Sequence, residues 1–185
     1  RFAEGQITKI VPLFMRATPE EGGLGLLTAD IGIAYGIFGA VAFVLGSLLG
    51  GYFVAKRGLK SSIFILCIIF NVPDIVYVYL SYATPESFAL ICAMISLEWF
   101  GYGFGFVGII LFMMQQIAPG KYKMAHYAFA TAIMNLGFML PSMISGYISD
   151  YLGYKNFFLW VLVATIPSFL AAWFVPFNKI KEEDI

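Results

Sequence analysis

Five apolar runs, over residues 31–55, 61–83, 87–117, 124–149 and 156–177, constrain this chain more than any other feature. Each reaches or exceeds the ~20 residues that a helix needs to cross the hydrocarbon layer. No water is available there, so a spanning segment must satisfy its own backbone polar groups, and only helices and closed barrels do so. The runs are continuous over far more than the ~10 alternating residues of a barrel strand, so the spans are read as helices. Composition agrees: 61% hydrophobic residues, 12% charged residues and a mean hydropathy of +0.86 lie outside the range of soluble domains. The expected fold is an all-α, polytopic membrane helix bundle.

Residues 1–16 are different. They contain Glu4, Gln6, Lys9 and Pro12 and are too short to cross alone. We read them as part of a further helix, an amphipathic or re-entrant helix being the alternative. There is no basic start followed by an apolar core and a small-residue cleavage site. The domain reading is therefore one transmembrane unit, 1–185, with about six helices, the first incomplete, and a short tail at 178–185.

Orientation follows from Lys and Arg in alternate loops. One side carries Lys56, Arg57, Lys60, Lys121, Lys123, Lys179 and Lys181, and the other carries Arg16 and Lys155. The richer side is expected to be cytoplasmic, which also places the tail in the cytosol. Cys67 and Cys92 both fall inside spans, with no paired metal-binding spacing, so neither a metal nor a cofactor is expected.

An internal similarity refines the architecture. GSLLGGYFVAKRGLK, residues 46–60, aligns with PSMISGYISDYLGYK, residues 141–155. At a constant offset of 95, Ser47, Gly51, Tyr52, Gly58 and Lys60 match Ser142, Gly146, Tyr147, Gly153 and Lys155. The copies end the second and fifth hydrophobic segments, on opposite sides of the membrane. This is the pattern of a 3+3 inverted-topology repeat.

GGYFVAKRGLK resembles the loop signature of the major facilitator superfamily. Ala55 stands where that signature has an aspartate, whereas the second copy has an acid, Asp150, and a tyrosine at the basic position. The resemblance implies gating-loop roles for Gly51, Lys56, Arg57, Gly58, Lys60, Asp150, Gly153 and Lys155. Longer stretches, GLGLLTADIGIAYGIFGAVA, NVPDIVYVYLSY, EWFGYGFGF and KMAHYAFATAIMNLGFMLPSMISGYISDYLGYKNFFLWVL, are similar to the muropeptide permease and acetyl-CoA transporter branch. This implies the carboxy-terminal half of a secondary transporter in a bacterial inner membrane, for which Glu4, Asp74 or Glu98 would be the proton-exchanging group. It also implies a muropeptide or another amphiphilic sugar or nucleotide conjugate as substrate, and an amino-terminal half as partner.

Ionisable residues at membrane depth are the functional candidates. Glu4 and Lys9 project about 140° apart on a helix and are poor partners for each other. Asp74 follows Pro73, which should kink its span, with Asn71 and Tyr77 nearby; it either lines a cavity or caps the bend. Glu98 shares a helix face with Tyr102 at i+4 and with Gly101, Gly105 and Gly108, a strip that admits close approach of another helix. It is either a proton-coupling acid or a fixed interhelical hydrogen-bonding group. Asn135 lies near mid-span as a substrate or helix contact. Arg1 resembles an arginine in the first helix of this half in related permeases, which implies pairing with an anionic substrate.

Two other classes predict different features. An integral-membrane enzyme would want a nucleophile or metal set at the interface, and the single histidine, His126, has no nearby carboxylate in sequence. A binding scaffold would need no separable transport chemistry at Asp74 or Glu98. Nucleic-acid binding would need a basic stripe, which the chain lacks.

Overall fold

A computed structural model of the chain describes residues 1–177. Lys179, Lys181 and the tail expected in the cytosol lie outside the described residues. The helices are α1, Phe2–Arg16, then α2, Thr28–Arg57, α3, Leu59–Ala83, and α4, Phe88–Ile117. Lys123–Ala164 passes through Gly153 in a non-helical conformation, φ 70° and ψ 160°. It is therefore two helices, α5 over 123–152 and α6, which starts at 154 and continues beyond Thr165 as Ile166–Phe174. No strand occurs among the described residues. Four stretches are long and apolar enough to cross a membrane: α2, α3, α4 and Lys123–Phe174.

The last stretch has 52 residues. Straight, it would measure ~78 Å at ~1.5 Å per residue, against ~30 Å of hydrocarbon. It doubles back instead. Ser142 hydrogen-bonds the backbone of Gly5, while Trp160, beyond Gly153, hydrogen-bonds the side chain of Gln6. Two positions flanking Gly153 thus stand beside adjacent residues of α1.

Gly58 turns the chain between α2 and α3 in the same way, at φ 77° and ψ 150°. An L side chain rarely adopts this backbone conformation, which is why glycine sits at both reversals. Ser47, before the turn, donates to the carbonyl of Gly103, and Leu66, after it, packs on Gly105.

The resulting helix crossings correspond pairwise. A Cβ on Gly103 would meet the Phe43 carbonyl and the Ser47 hydroxyl, and a Cβ on Gly5 would meet the Phe138 carbonyl and the Ser142 hydroxyl. Phe43 and Phe138 stand at the same offset of 95 as Ser47 and Ser142. Lipid tails are as apolar as leucine, so helices gain little from hydrophobic burial. Close packing at small residues and hydrogen bonds across the interface hold them together.

α1 packs one face against the rest of the bundle. Its Ile7, Ile10, Val11, Phe14 and Met15 are buried, and Phe14 meets the rings of Tyr154 and Phe158 at 5.3 and 5.0 Å between centroids. α3 is interrupted at Pro73 by the short 3-10 turn Val72–Asp74, whereas α1 continues through Pro12 and α5 through Pro141. α2 carries a π-helical turn over Ala34–Gly39.

Candidate functional site

The kink at Pro73 and the glycine strip of α4 act together. Gly101 faces the Ile69 carbonyl and the Pro73 ring, and Gly105 faces Leu66 and Phe70, so α3 and α4 approach closely. Glu98, one turn before Gly101, therefore reaches α3. The Tyr77 hydroxyl donates to Glu98 Oε2 at 2.8 Å, and Tyr77 is fully withdrawn from solvent.

Around this pair lies a cavity of about 140 Å³. Arg1, Glu4, Asp74, Tyr77, Glu98 and Tyr102 line it together with Tyr35, Phe70, Trp99 and Phe138. Arg1 Nη2 pairs with Glu4 Oε1 at 3.0 Å. The guanidinium lies over the rings of Phe106 and Phe138, 5.0 and 4.9 Å from their centroids, where the aromatic quadrupoles favour a cation. Arg1 Nε and Glu4 Oε2 are buried without a hydrogen-bond partner. Leaving such atoms unpaired is costly in an apolar medium.

The other sequence candidates lie elsewhere. Lys9 is exposed on α1, turned away from Glu4 as their spacing requires. Asn135 is exposed on α5. Asn71 is buried but donates to the Cys67 carbonyl of its own helix at 2.8 Å and lines a second, mostly apolar cavity of about 270 Å³ that shares Arg1 and Phe70 with the first. The gating-loop candidates Gly51, Gly58 and Gly153 sit at or near the reversals. Lys56 Nζ and the Arg57 guanidinium lie over Tyr52 and Phe53 at 4.8 and 5.0 Å, and Lys155 Nζ lies over Tyr82 at 5.6 Å. Lys60 and Asp150 are exposed, and neither loop forms an ion pair among the described residues.

Tyr35 and Trp99 were not singled out from the sequence. The π-turn of α2 brings the Tyr35 hydroxyl to 3.4 Å from that of Tyr77, and its ring meets Trp99 edge-on at 5.4 Å. Gln6, fully buried, accepts from Trp160 Nε1 at 3.0 Å and ties α1 to α6 just outside the cavity. Among the described residues, no group of three or more His, Cys, Asp or Glu side chains is placed to hold a metal ion.

Comparison with known proteins gives concordant matches. The profile of the Major Facilitator Superfamily matches residues 10–184. The chain is 31% identical over 154 residues to "Putative transporter AmpG 1" of Rickettsia bellii, covering 83% of this chain and 36% of that protein. It is 30% identical over 142 residues to the protein of the same name from Rickettsia felis, covering 77% and 31%. Against "Putative transporter AmpG 2" of Rickettsia typhi it is 25% identical over 153 residues, covering 83% and 37%. The chain spans about a third of the length of the curated relatives it matches.

Proposed function

The chain belongs to the Major Facilitator Superfamily, and from that premise we propose that it forms the carboxy-terminal half of a proton-coupled secondary transporter working by alternating access. The observation that carries this reading is the convergence of Glu4, Asp74 and Glu98, from α1, α3 and α4, on one cavity with one arginine. With all groups ionised, three carboxylates and one guanidinium leave two excess negative charges at membrane depth. Such an excess is expensive there, so the cavity has a physical reason to take up protons or a cationic group.

The paired crossings Gly103/Ser47 and Gly5/Ser142 support reading α1–α3 and α4–α6 as inverted repeats, with five crossings besides α1. The apolar faces of α2 and α5, exposed at Leu48, Leu49, Leu140 and Met143, are where we place the amino-terminal half, whose wall would close the cavity. We assign the protein to a bacterial inner membrane, with the lysine-rich loops and the C-terminus cytoplasmic.

The substrate assignment, a muropeptide or another amphiphilic sugar or nucleotide conjugate, rests on the resemblance of the long segments quoted above to muropeptide permeases. Tyr35, Trp99 and Tyr102 supply aromatic faces for such a ligand.

The test is uptake of a labelled anhydromuropeptide into vesicles carrying the full-length protein, native against Glu98→Gln at matched expression. Uptake that loses only its dependence on a pH gradient in the variant supports Glu98 as the coupling acid. Absence of uptake by native protein sinks the substrate assignment. Equal coupled transport by both proteins moves the coupling role to Asp74.

A further inference from the structure

Tyr77 has one hydroxyl proton and two oxygen neighbours. It donates to Glu98 Oε2 at 2.8 Å, which leaves its own oxygen as the acceptor facing the Tyr35 hydroxyl at 3.4 Å. The three groups form a short chain running from α2 through α3 to α4. Its direction depends on Glu98: an ionised carboxylate only accepts, whereas a neutral carboxyl has a proton to donate back to Tyr77. Tyr77 is then free to donate to Tyr35 in turn.

The far end of this chain sits on an unusual piece of backbone. Tyr35 belongs to the π-turn Ala34–Gly39, a form of helix found mostly as single turns and often at functional positions. On one side the turn has open space beside it, since a Cβ on Gly36 would meet nothing within 4 Å. On the other side Gly39 packs against the ring of Trp99, the residue after Glu98, and the Tyr35 ring meets the same indole. At 3.4 Å the phenol–phenol contact is longer than the ~2.7–2.8 Å of a well-made O–H···O bond, so a displacement of a fraction of an ångström would make or break it.

We infer that Tyr35 is a positioning residue for Glu98, setting through Tyr77 how readily that carboxyl takes a proton and linking its charge to the π-turn of α2. This rests on the reading of Glu98 as a proton-exchanging group. A hydroxyl donating to Tyr77 makes Tyr77 a stronger donor and so favours the ionised carboxylate. When α2 moves, the donation changes and the carboxyl's hold on its proton changes with it. The charged and titratable groups sharing the cavity with Glu98 are Arg1 and Glu4 from α1, Tyr35 from α2, Asp74 and Tyr77 from α3, and Tyr102 from its own helix. None of the others is interposed in the Tyr35–Tyr77–Glu98 chain.

The experiment is infrared difference titration of the full-length protein in lipid vesicles, following the carboxyl stretch that disappears in Glu98→Gln. This reads protonation directly and needs no substrate, so its outcome is separate from that of the uptake assay. Tyr35→Phe is expected to move the appearance of the band to higher pH by ~0.5 unit, about a threefold gain in proton affinity, and Tyr77→Phe to move it further. Replacing Tyr35 by 3-fluorotyrosine keeps the ring and the hydroxyl but makes the latter a stronger donor, and should move the band to lower pH. This substitution also covers the case in which Tyr35→Phe folds poorly. A band that shifts in Tyr77→Phe but stays put in both Tyr35 substitutions overturns the inference and leaves Tyr35 as packing. Absence of any titrating Glu98 band overturns it as well, whatever uptake shows.

Discussion

Ser142 Oγ lies 2.7 Å from the carbonyl oxygen of Gly5 and also 2.7 Å from that of Phe138 in its own helix, so one hydroxyl proton serves two helices. Its counterpart, Ser47, stands 3.3 Å from the Gly103 carbonyl. The shorter contact predicts the larger loss. Hydrogen bonds between membrane helices average ~0.6 kcal/mol and reach ~1.7. Ser142→Ala should fall toward the upper figure and Ser47→Ala at or below the lower one, measured as unfolding free energy of the full-length protein in mixed micelles. Equal losses would argue that the two crossings are energetically alike despite their geometry.

Two adjacent glycines on α2 should respond in opposite ways to the same change. A Cβ on Gly50 would run into the Phe104 carbonyl, whereas one on Gly51 would meet only Val107 Cγ1, at 4.0 Å. Gly50→Ala forces backbone apart and should cost ~1–3 kcal/mol. Gly51→Ala should be neutral or stabilise by up to ~1 kcal/mol through helix propensity. Thermal unfolding of the two variants side by side checks this.

At the reversals, the backbone itself excludes side chains. Gly58 and Gly153 hold φ values of 77° and 70°, with extended ψ. Alanine at either should cost ~1–3 kcal/mol, although a Cβ there would meet nothing within 4 Å. A loss of stability without any steric neighbour, seen in the same unfolding assay, distinguishes backbone strain from packing.

Trp160→Phe removes the donor to Gln6 and leaves a fully buried amide oxygen unsatisfied. That should cost ~1–3 kcal/mol beyond lost ring contacts. Adding Gln6→Leu should recover part of it, and a double-mutant cycle returning no coupling energy would show that the bond contributes nothing.

Much of the candidate site was visible residue by residue, because an ionisable group in an apolar run stands out wherever it lies. Glu4, Asp74 and Glu98 were marked in this way, but so was Lys9, and the neutral polar Asn135 stood out for its polarity alone; both are exposed and outside the cavity. The same signal cannot tell the two outcomes apart, since it registers polarity and not direction. Tyr35 and Trp99 gave no signal at all: aromatic residues make up 18% of the chain, and nothing local distinguishes a ring on a cavity from one facing lipid.

The sequence by itself determined the solvent and the element type. Runs of this length and apolarity belong in hydrocarbon, and hydrocarbon leaves the backbone no partner outside the helix. It marked the reversals at Gly58 and Gly153 and the interruption at Pro73, but the same local signal at Pro12 and Pro141 breaks no helix, because packing around a proline decides whether the helix continues. Which helix faces which was decided only by the tertiary structure. In a soluble bundle an apolar stripe announces the buried face, but a membrane helix is apolar all round, so the contrast that would orient it is missing. The bond between Tyr77 and Glu98, the approach of Tyr35 and the two serine–glycine crossings follow from the close packing of particular backbones; the linear chain marks some of the participants, such as Ser47, Ser142 and Glu98, but not which residue each one meets.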